Sequence, residues 1–112
     1  MHQDIQKEVS SLIRLLVDGQ YHQVESLTKG VRLPTSQIQN AIKQYGRKLV
    51  EPPHDAYKLM DVIEVQTSNV PRWSVTMRLW TEEEGQSDLT VELTLIKNNG
   101  AFIMELDDIR VL

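Results

Sequence analysis

Cysteine is absent from the 112 residues. That excludes disulfides, thiolate nucleophiles and cysteine–zinc sites together. Aromatic residues make up only 5% of the chain, so any core must be built mainly from aliphatic side chains. No apolar run approaches the ~18 residues that a membrane span needs. The N-terminal "MHQDIQKEVSS" has neither the basic n-region nor the apolar core of a signal peptide, and the expectation is a cytoplasmic protein. The three histidines, His2, His22 and His54, are scattered and none has a His-x-x-x-His partner, so neither metal nor cofactor is expected. There is no Gly-x-Ser-x-Gly and no phosphate-binding glycine loop. The nearest approach to an acid–base set is His54, Asp55 and Asp61 with Tyr57. Those residues read as a turn after Pro52-Pro53 and a solvent-facing edge strand, and no enzyme is expected.

What is present is an ordinary globular mixture, 40% hydrophobic and 25% charged, long enough for one domain over 1–112 with a single modest core. The net charge of −4 is unevenly placed: residues 1–50 carry a net of +3 and residues 51–112 a net of −7. An acidic half disfavours nucleic acid and suits a basic protein partner.

Residues 1–50 read as helical. Ile5, Val9, Leu12, Ile13 and Leu16 recur at helical spacing, with Asp4 as N-cap and Asp18-Gly19 as stop. A second helix is expected over Tyr21–Lys29, ended by Gly30. A third is expected over Ser36–Tyr45, where Ser36 and Gln39 have capping-box spacing and Gly46 is the stop. Residues 51–112 read as strands, at Lys58–Gln66, Trp73–Trp80, Asp88–Lys97 and Ala101–Leu112. Asn99-Gly100 predicts a two-residue hairpin turn, which sets Leu95 opposite Met104 and Leu93 opposite Leu106. The parity of the apolar positions then switches, and a bulge at Asp107-Asp108 restores it, with Ile109 facing Val91 and Val111 facing Leu89. Pairing Leu79 with Leu89 leaves Thr81–Ser87 as the remaining loop and Trp80 opposite Asp88. The expected fold class is α+β, with N-terminal helices packed on a curved, cone-like antiparallel β-meander.

The opposite parity gives the outward face: Thr76, Arg78, Trp80, Asp88, Thr90, Glu92, Thr94, Glu105 and Arg110, with Asp107 and Asp108 at the bulge. Arg78 falls diagonal to Glu92. Glu82, Glu83 and Glu84 form the loop tip, and a charge run there reads first as a solvated turn. An outward tryptophan among carboxylates is the pattern of an interface anchor. The candidate partner-binding residues are therefore Trp80, Glu82, Glu83, Glu84, Asp88, Glu92, Glu105, Asp107 and Asp108.

Three resemblances bear on function. "LIRLLVDGQYHQVESLTKGVRLPTSQIQNAIKQYG" resembles a winged-helix core, which implies DNA binding. Its third helix has Lys43 as the only basic residue before the end, among Gln37, Gln39, Asn40 and Gln44, and phosphate contacts need more. "WSVTMRLWTEEEGQSDLTVELTL" through "ELDDIRVL", with "YGRKLVEPPHDAY", resembles a small bacterial family of uncharacterised domains. Helices leading into a meander that ends in "DDIRVL" are similar to the nuclear-transport-factor-2-like, cystatin-like cone fold. That fold implies either a small-molecule or catalytic pocket inside the cone, or protein binding through the outer sheet, as in some toxin-immunity proteins. The inward residues are almost purely apolar, and the resulting expectation is a non-catalytic binding protein, most concretely an immunity protein for a bacterial toxin such as a nuclease. The alternatives are a small-molecule-binding or enzymatic cone protein and a winged-helix regulator. A homodimer is compatible with each reading.

Overall fold

The computed structural model describes residues 2–29, 32–66 and 69–112. Three helices come first: α1 (His2–Val17), α2 (Tyr21–Thr28) and α3 (Thr35–Tyr45). A two-residue strand β1 (Leu49–Val50), a short 3-10 helix (His54–Leu59), and strands β2 (Asp61–Glu64), β3 (Arg72–Thr81), β4 (Gly85–Asn98) and β5 (Ala101–Val111) follow. The sheet is antiparallel and open. β5, β4 and β3 lie side by side, and the far edge of β3 is shared by β2 along its first half and β1 at its end. The helices cover one face, giving the α+β architecture expected.

The periodicity of the apolar residues places the core. Ile5, Val9, Leu12, Ile13 and Leu16 of α1, Val24 of α2 and Ile38 and Ile42 of α3 are buried against Trp73, Val75, Met77, Leu79, Leu89, Val91, Leu93, Leu95, Met104, Leu106 and Ile109 of the sheet. Each fully buried aliphatic side chain contributes roughly 1.5–3 kcal/mol. The inner face is filled by this cluster.

Helix ends differ from expectation in instructive ways. α1 begins at His2, so Asp4 lies in its first turn rather than at the cap. α3 begins one residue earlier than expected, and Ser36 makes no capping bond. Instead Glu25 of α2 accepts both the backbone N–H and the hydroxyl of Thr35, the latter at 2.7 Å. A carboxylate from one helix thus caps the next, where the helix dipole favours negative charge. Those bonds hold the Glu25 carboxyl below its usual pKa, the backbone bond most strongly. The expected stop at Gly30 lies outside the described residues. Gly46 ends α3 at φ 75°, a left-handed conformation that suits glycine.

The β4–β5 hairpin forms in the expected register. Asn98 pairs with Ala101 across Asn99 and Gly100, at φ 53° and 80°, the combination a type I′ turn requires. Leu95 faces Met104 and Leu93 faces Leu106. The register shifts between Glu92 and Leu93, where Asp107 is the extra residue, and Ile109 then faces Val91. Ile109 is buried as expected, but Val111, opposite Leu89, is 58% exposed. The helical layer ends short of it, and Val111 instead borders a surface groove of about 440 Å³ with Ala41, Gln44 and Tyr45 of α3.

Two further expectations are corrected. The strand expected over Lys58–Gln66 shrinks to Asp61–Glu64, because the stretch after Pro52-Pro53 coils into the 3-10 helix. The β3–β4 register is also different. Thr81 pairs with Gly85 and Trp80 with Gln86, so the turn contains only Glu82–Glu84 and Trp80 is not opposite Asp88. Between Trp80 and Arg78 the strands slip, and Leu79 has no single partner. Ser87 satisfies the backbone there, donating to the Leu79 carbonyl at 2.7 Å and accepting from Leu89 N–H at 3.2 Å.

Among the described residues, no strand pairs with the outer edge of β5. Two side chains stand across its middle. Arg32, from the α2–α3 connection, reaches Asp107 at 2.9 Å, and the Asp108 carboxylate accepts the Ile109 N–H at 2.9 Å.

Candidate protein-binding face

The face of the sheet opposite the helices is uncovered, and its side chains fall into cross-strand rows. One row runs Asp61–Thr76–Glu92–Asp108, and the next Arg78–Thr90–Arg110. A third runs Ile63–Ser74–Thr94–Glu105. Beyond the arginine row, the last pair is Trp80–Gln86, with Val50 beside Trp80. The two carboxylate-bearing rows are therefore adjacent, and the arginine row separates them from the Trp80 end.

The carboxylates divide by whether they already have a cation. Glu92 pairs with Arg110 at 2.8 Å, and Asp108 lies 3.7 Å from the same guanidinium. The partner of Glu92 is thus Arg110 on β5 and not Arg78, which stands equally diagonal to it on β3. Asp107 forms an ion pair with Arg32 at 2.9 Å and accepts from the Thr94 hydroxyl at 2.6 Å. Among the described residues, no ion pair engages Asp61, Asp88 or Glu105. Thr90, expected to be exposed, is fully buried. The side chains of Arg78 and Arg110 flank it across both neighbouring strands.

Trp80 is half-buried. Its ring lies over Gly85 on its own hairpin, close enough that a Cβ there would sit 3.7 Å from it. Its indole N–H is buried and has no acceptor among the described residues. With Leu59, Leu112, Thr76, Arg78 and Thr90 it rims a shallow hollow of about 190 Å³ in the open face. Leu59 and Leu112 are 68% and 61% exposed, so this end of the face has an apolar collar beside its charges.

The glutamate turn has a different role from the one expected of a solvated tip. Glu84 accepts from the Tyr45 hydroxyl at 2.8 and 3.0 Å and from the Thr81 hydroxyl at 3.0 Å. Glu83 accepts the Lys48 N–H at 3.1 Å, and the Glu82 N–H donates to the Lys48 carbonyl at 2.9 Å. These bonds pin the turn to the end of α3. The Glu82 side chain points outward and is held only by an exposed ion pair with Lys48 Nζ at 3.9 Å. Glu84→Ala is expected to lower stability by about 1–2 kcal/mol through the lost charged acceptor, and Glu82→Ala to stay within about 0.5 kcal/mol. Urea denaturation of the two variants would separate them; equal midpoints would show that the turn is not held through Glu84.

The suggested acid–base set is dispersed. His54 and Tyr57 line a groove against α1, Asp55 pairs with Lys58 at 3.5 Å, and Asp61 lies on the open sheet face. No group of three His, Asp or Glu side chains among the described residues is arranged to hold a metal ion.

A family profile described as a domain of unknown function, DUF7668, matches residues 13–112. The chain belongs to this family. The match takes in only the C-terminal end of α1, both other helices and the whole sheet, so the open face and the glutamate turn of this DUF7668 domain both fall within it. No curated protein and no solved structure gives a significant match. No helix among the described residues is long and apolar enough to cross a membrane.

The anchors of the turn, Tyr45 and Lys48, were not visible as such in the sequence. They lie 35 to 39 residues from their partners, and no local pattern joins them. The same holds for Arg32, whose partner Asp107 is on the last strand.

Proposed function

We propose that this DUF7668 domain is a non-catalytic protein-binding module acting in the cytoplasm. In its most concrete form it is an immunity protein that neutralises a bacterial toxin through the open sheet face. The observation that carries the reading is the contrast between the two faces. The inner one is filled by aliphatic side chains. The outer one is uncovered, and carries Asp61, Asp88 and Glu105 without intramolecular cations beside an apolar collar at Trp80, Leu59 and Leu112. Desolvated aromatic anchors with a charged surround are the usual anatomy of a protein interface. The excess of carboxylates selects a basic partner, such as a nuclease domain. The relationship to nuclear-transport-factor-2-like cones belongs to the same proposal. The helical layer on an antiparallel sheet supports it, and the packed inner face favours the use of the outer surface over an enclosed pocket.

The test is co-expression with a toxin domain found encoded next to this protein, followed by binding kinetics on the purified pair. Protection of the cells is expected, with an association rate that falls steeply as salt rises, since exposed charges are screened over ~8 Å at physiological ionic strength. An unprotected culture would refute the neutralising role. A salt-independent association rate would refute the electrostatic face.

A further inference from the structure

A further concavity lies away from the sheet. A groove of about 730 Å³ runs between α1 and the 3-10 helix. One wall is the stripe Gln3, Gln6, Lys7, Ser10 and Arg14, whose spacing of three and four residues sets it along one side of α1, beside the core stripe of Ile5, Val9, Leu12 and Leu16. The other wall is Glu51, Pro52, His54, Tyr57 and Lys58.

The lining of this groove is more basic than the chain as a whole. Lys7, Arg14 and Lys58 line it with one carboxylate, Glu51, and Asp55, outside the lining, lies 3.5 Å from Lys58, in a protein of net charge −4. Glu51 is already engaged by Arg14 Nε at 3.0 Å, which leaves the rest of that guanidinium free to donate. The pair keeps Arg14 firmly charged, chiefly through the hydrogen bond. Tyr57 is half-buried, and burial raises its pKa, so the phenol stays a neutral donor. Side-chain amides from Gln3 and Gln6 add neutral donors and acceptors. Pro52 and the ring of Tyr57 supply the apolar surface.

We infer that this groove binds a small organic phosphate of the size of a nucleoside diphosphate. The volume lies in the range of small-molecule sites. Two lysines on opposite walls suit a compact anion with more than one negative charge, and the free edge of an arginine fork suits phosphate oxygens. A planar base would lie against Tyr57 and Pro52, with Gln3 and Gln6 at its polar edge. The site is separate from the open sheet face and does not depend on the protein-binding reading.

The experiment is an amide-shift titration of the full chain with ADP, and with adenosine, pyrophosphate and hexaglutamate in parallel. ADP is expected to shift α1 and residues 51–58, with pyrophosphate weaker and adenosine weaker still. The double variant Lys7→Glu/Lys58→Glu should bind ADP at least about tenfold more weakly, a loss of ~1.4 kcal/mol. Lys43→Glu, on α3 and outside the groove, should bind as the parent does. Both lysines of the double variant are exposed, so an unchanged thermal melt is expected and would certify its fold. The inference is overturned by millimolar ADP and pyrophosphate leaving the groove unshifted, or by shifts confined to another face. It is equally overturned by unchanged ADP affinity in the double variant, or by hexaglutamate binding as tightly as ADP, which would make the groove a site for acidic peptide.

Discussion

Leu93→Ala is expected to lower the stability of the domain by about 2–5 kcal/mol, the range for a truncated core leucine that leaves a cavity behind. Leu93 is fully buried on β4, with Val75 opposite it on one side and Leu106 on the other. Strands on both sides hold the backbone there, so the site cannot collapse to refill the space. Ile103→Ala, on the uncovered face and 41% exposed, should cost no more than about 1 kcal/mol. Chemical denaturation of the two variants would check this order. Similar losses for both would mean that the uncovered face is buried in the folded protein, and would remove the basis for the proposed interface.

The second large effect concerns that interface. Charge reversal of Asp88 and Glu105 together is expected to weaken binding of a basic partner about 100-fold while leaving the melting temperature unchanged. Neither side chain has an intramolecular ion pair among the described residues, so the fold loses nothing with them. Each reversal replaces an attraction across the interface by a repulsion of ~1 kcal/mol or more. Glu92 and Asp108 are poorer choices, because Arg110 depends on both. Trp80→Ala is ambiguous as well: its ring packs on Gly85, and its removal is expected to lower the melt along with any affinity. Affinity of the Asp88→Lys/Glu105→Lys protein for the toxin domain, measured beside its melt, is the decisive pair. Unchanged affinity with an intact fold would exclude this face.

Much of the architecture was readable because its determinants are local. The helices follow from the spacing of Ile5, Val9, Leu12 and Leu16, and the hairpin from an Asn-Gly pair that adopts positive φ at both positions. The bulge at Asp107 followed from a parity switch that only an extra residue repairs. The β3–β4 turn was misjudged because apolar alternation suggested pairing Leu79 with Leu89. The actual register is settled by Thr81 and Glu84 bonding to each other, by Glu84 accepting from the distant Tyr45 and by Glu83 accepting from Lys48. For the candidate site, parity showed which face carries the carboxylates. It could not show which of them are already paired, since that depends on where Arg32 and Arg110 reach. The groove beside α1 was invisible for the same reason, because its second wall comes from a 3-10 helix that read as a turn after Pro52-Pro53 leading into a strand at Lys58.

The arrangement around Asp107 and Asp108 bears on how the molecule behaves when crowded. A long unpaired strand is a template on which a second chain can add, and repeated addition gives fibrils. Here a newcomer to the middle of β5 would have to displace the Arg32 guanidinium and strip the Ile109 N–H from its own neighbour's carboxylate before making its first hydrogen bonds. The bulge also breaks the even spacing that such a newcomer would need to match. The middle of the strand is thereby a poor template for a second chain, although all eleven of its residues lie at an edge of the sheet.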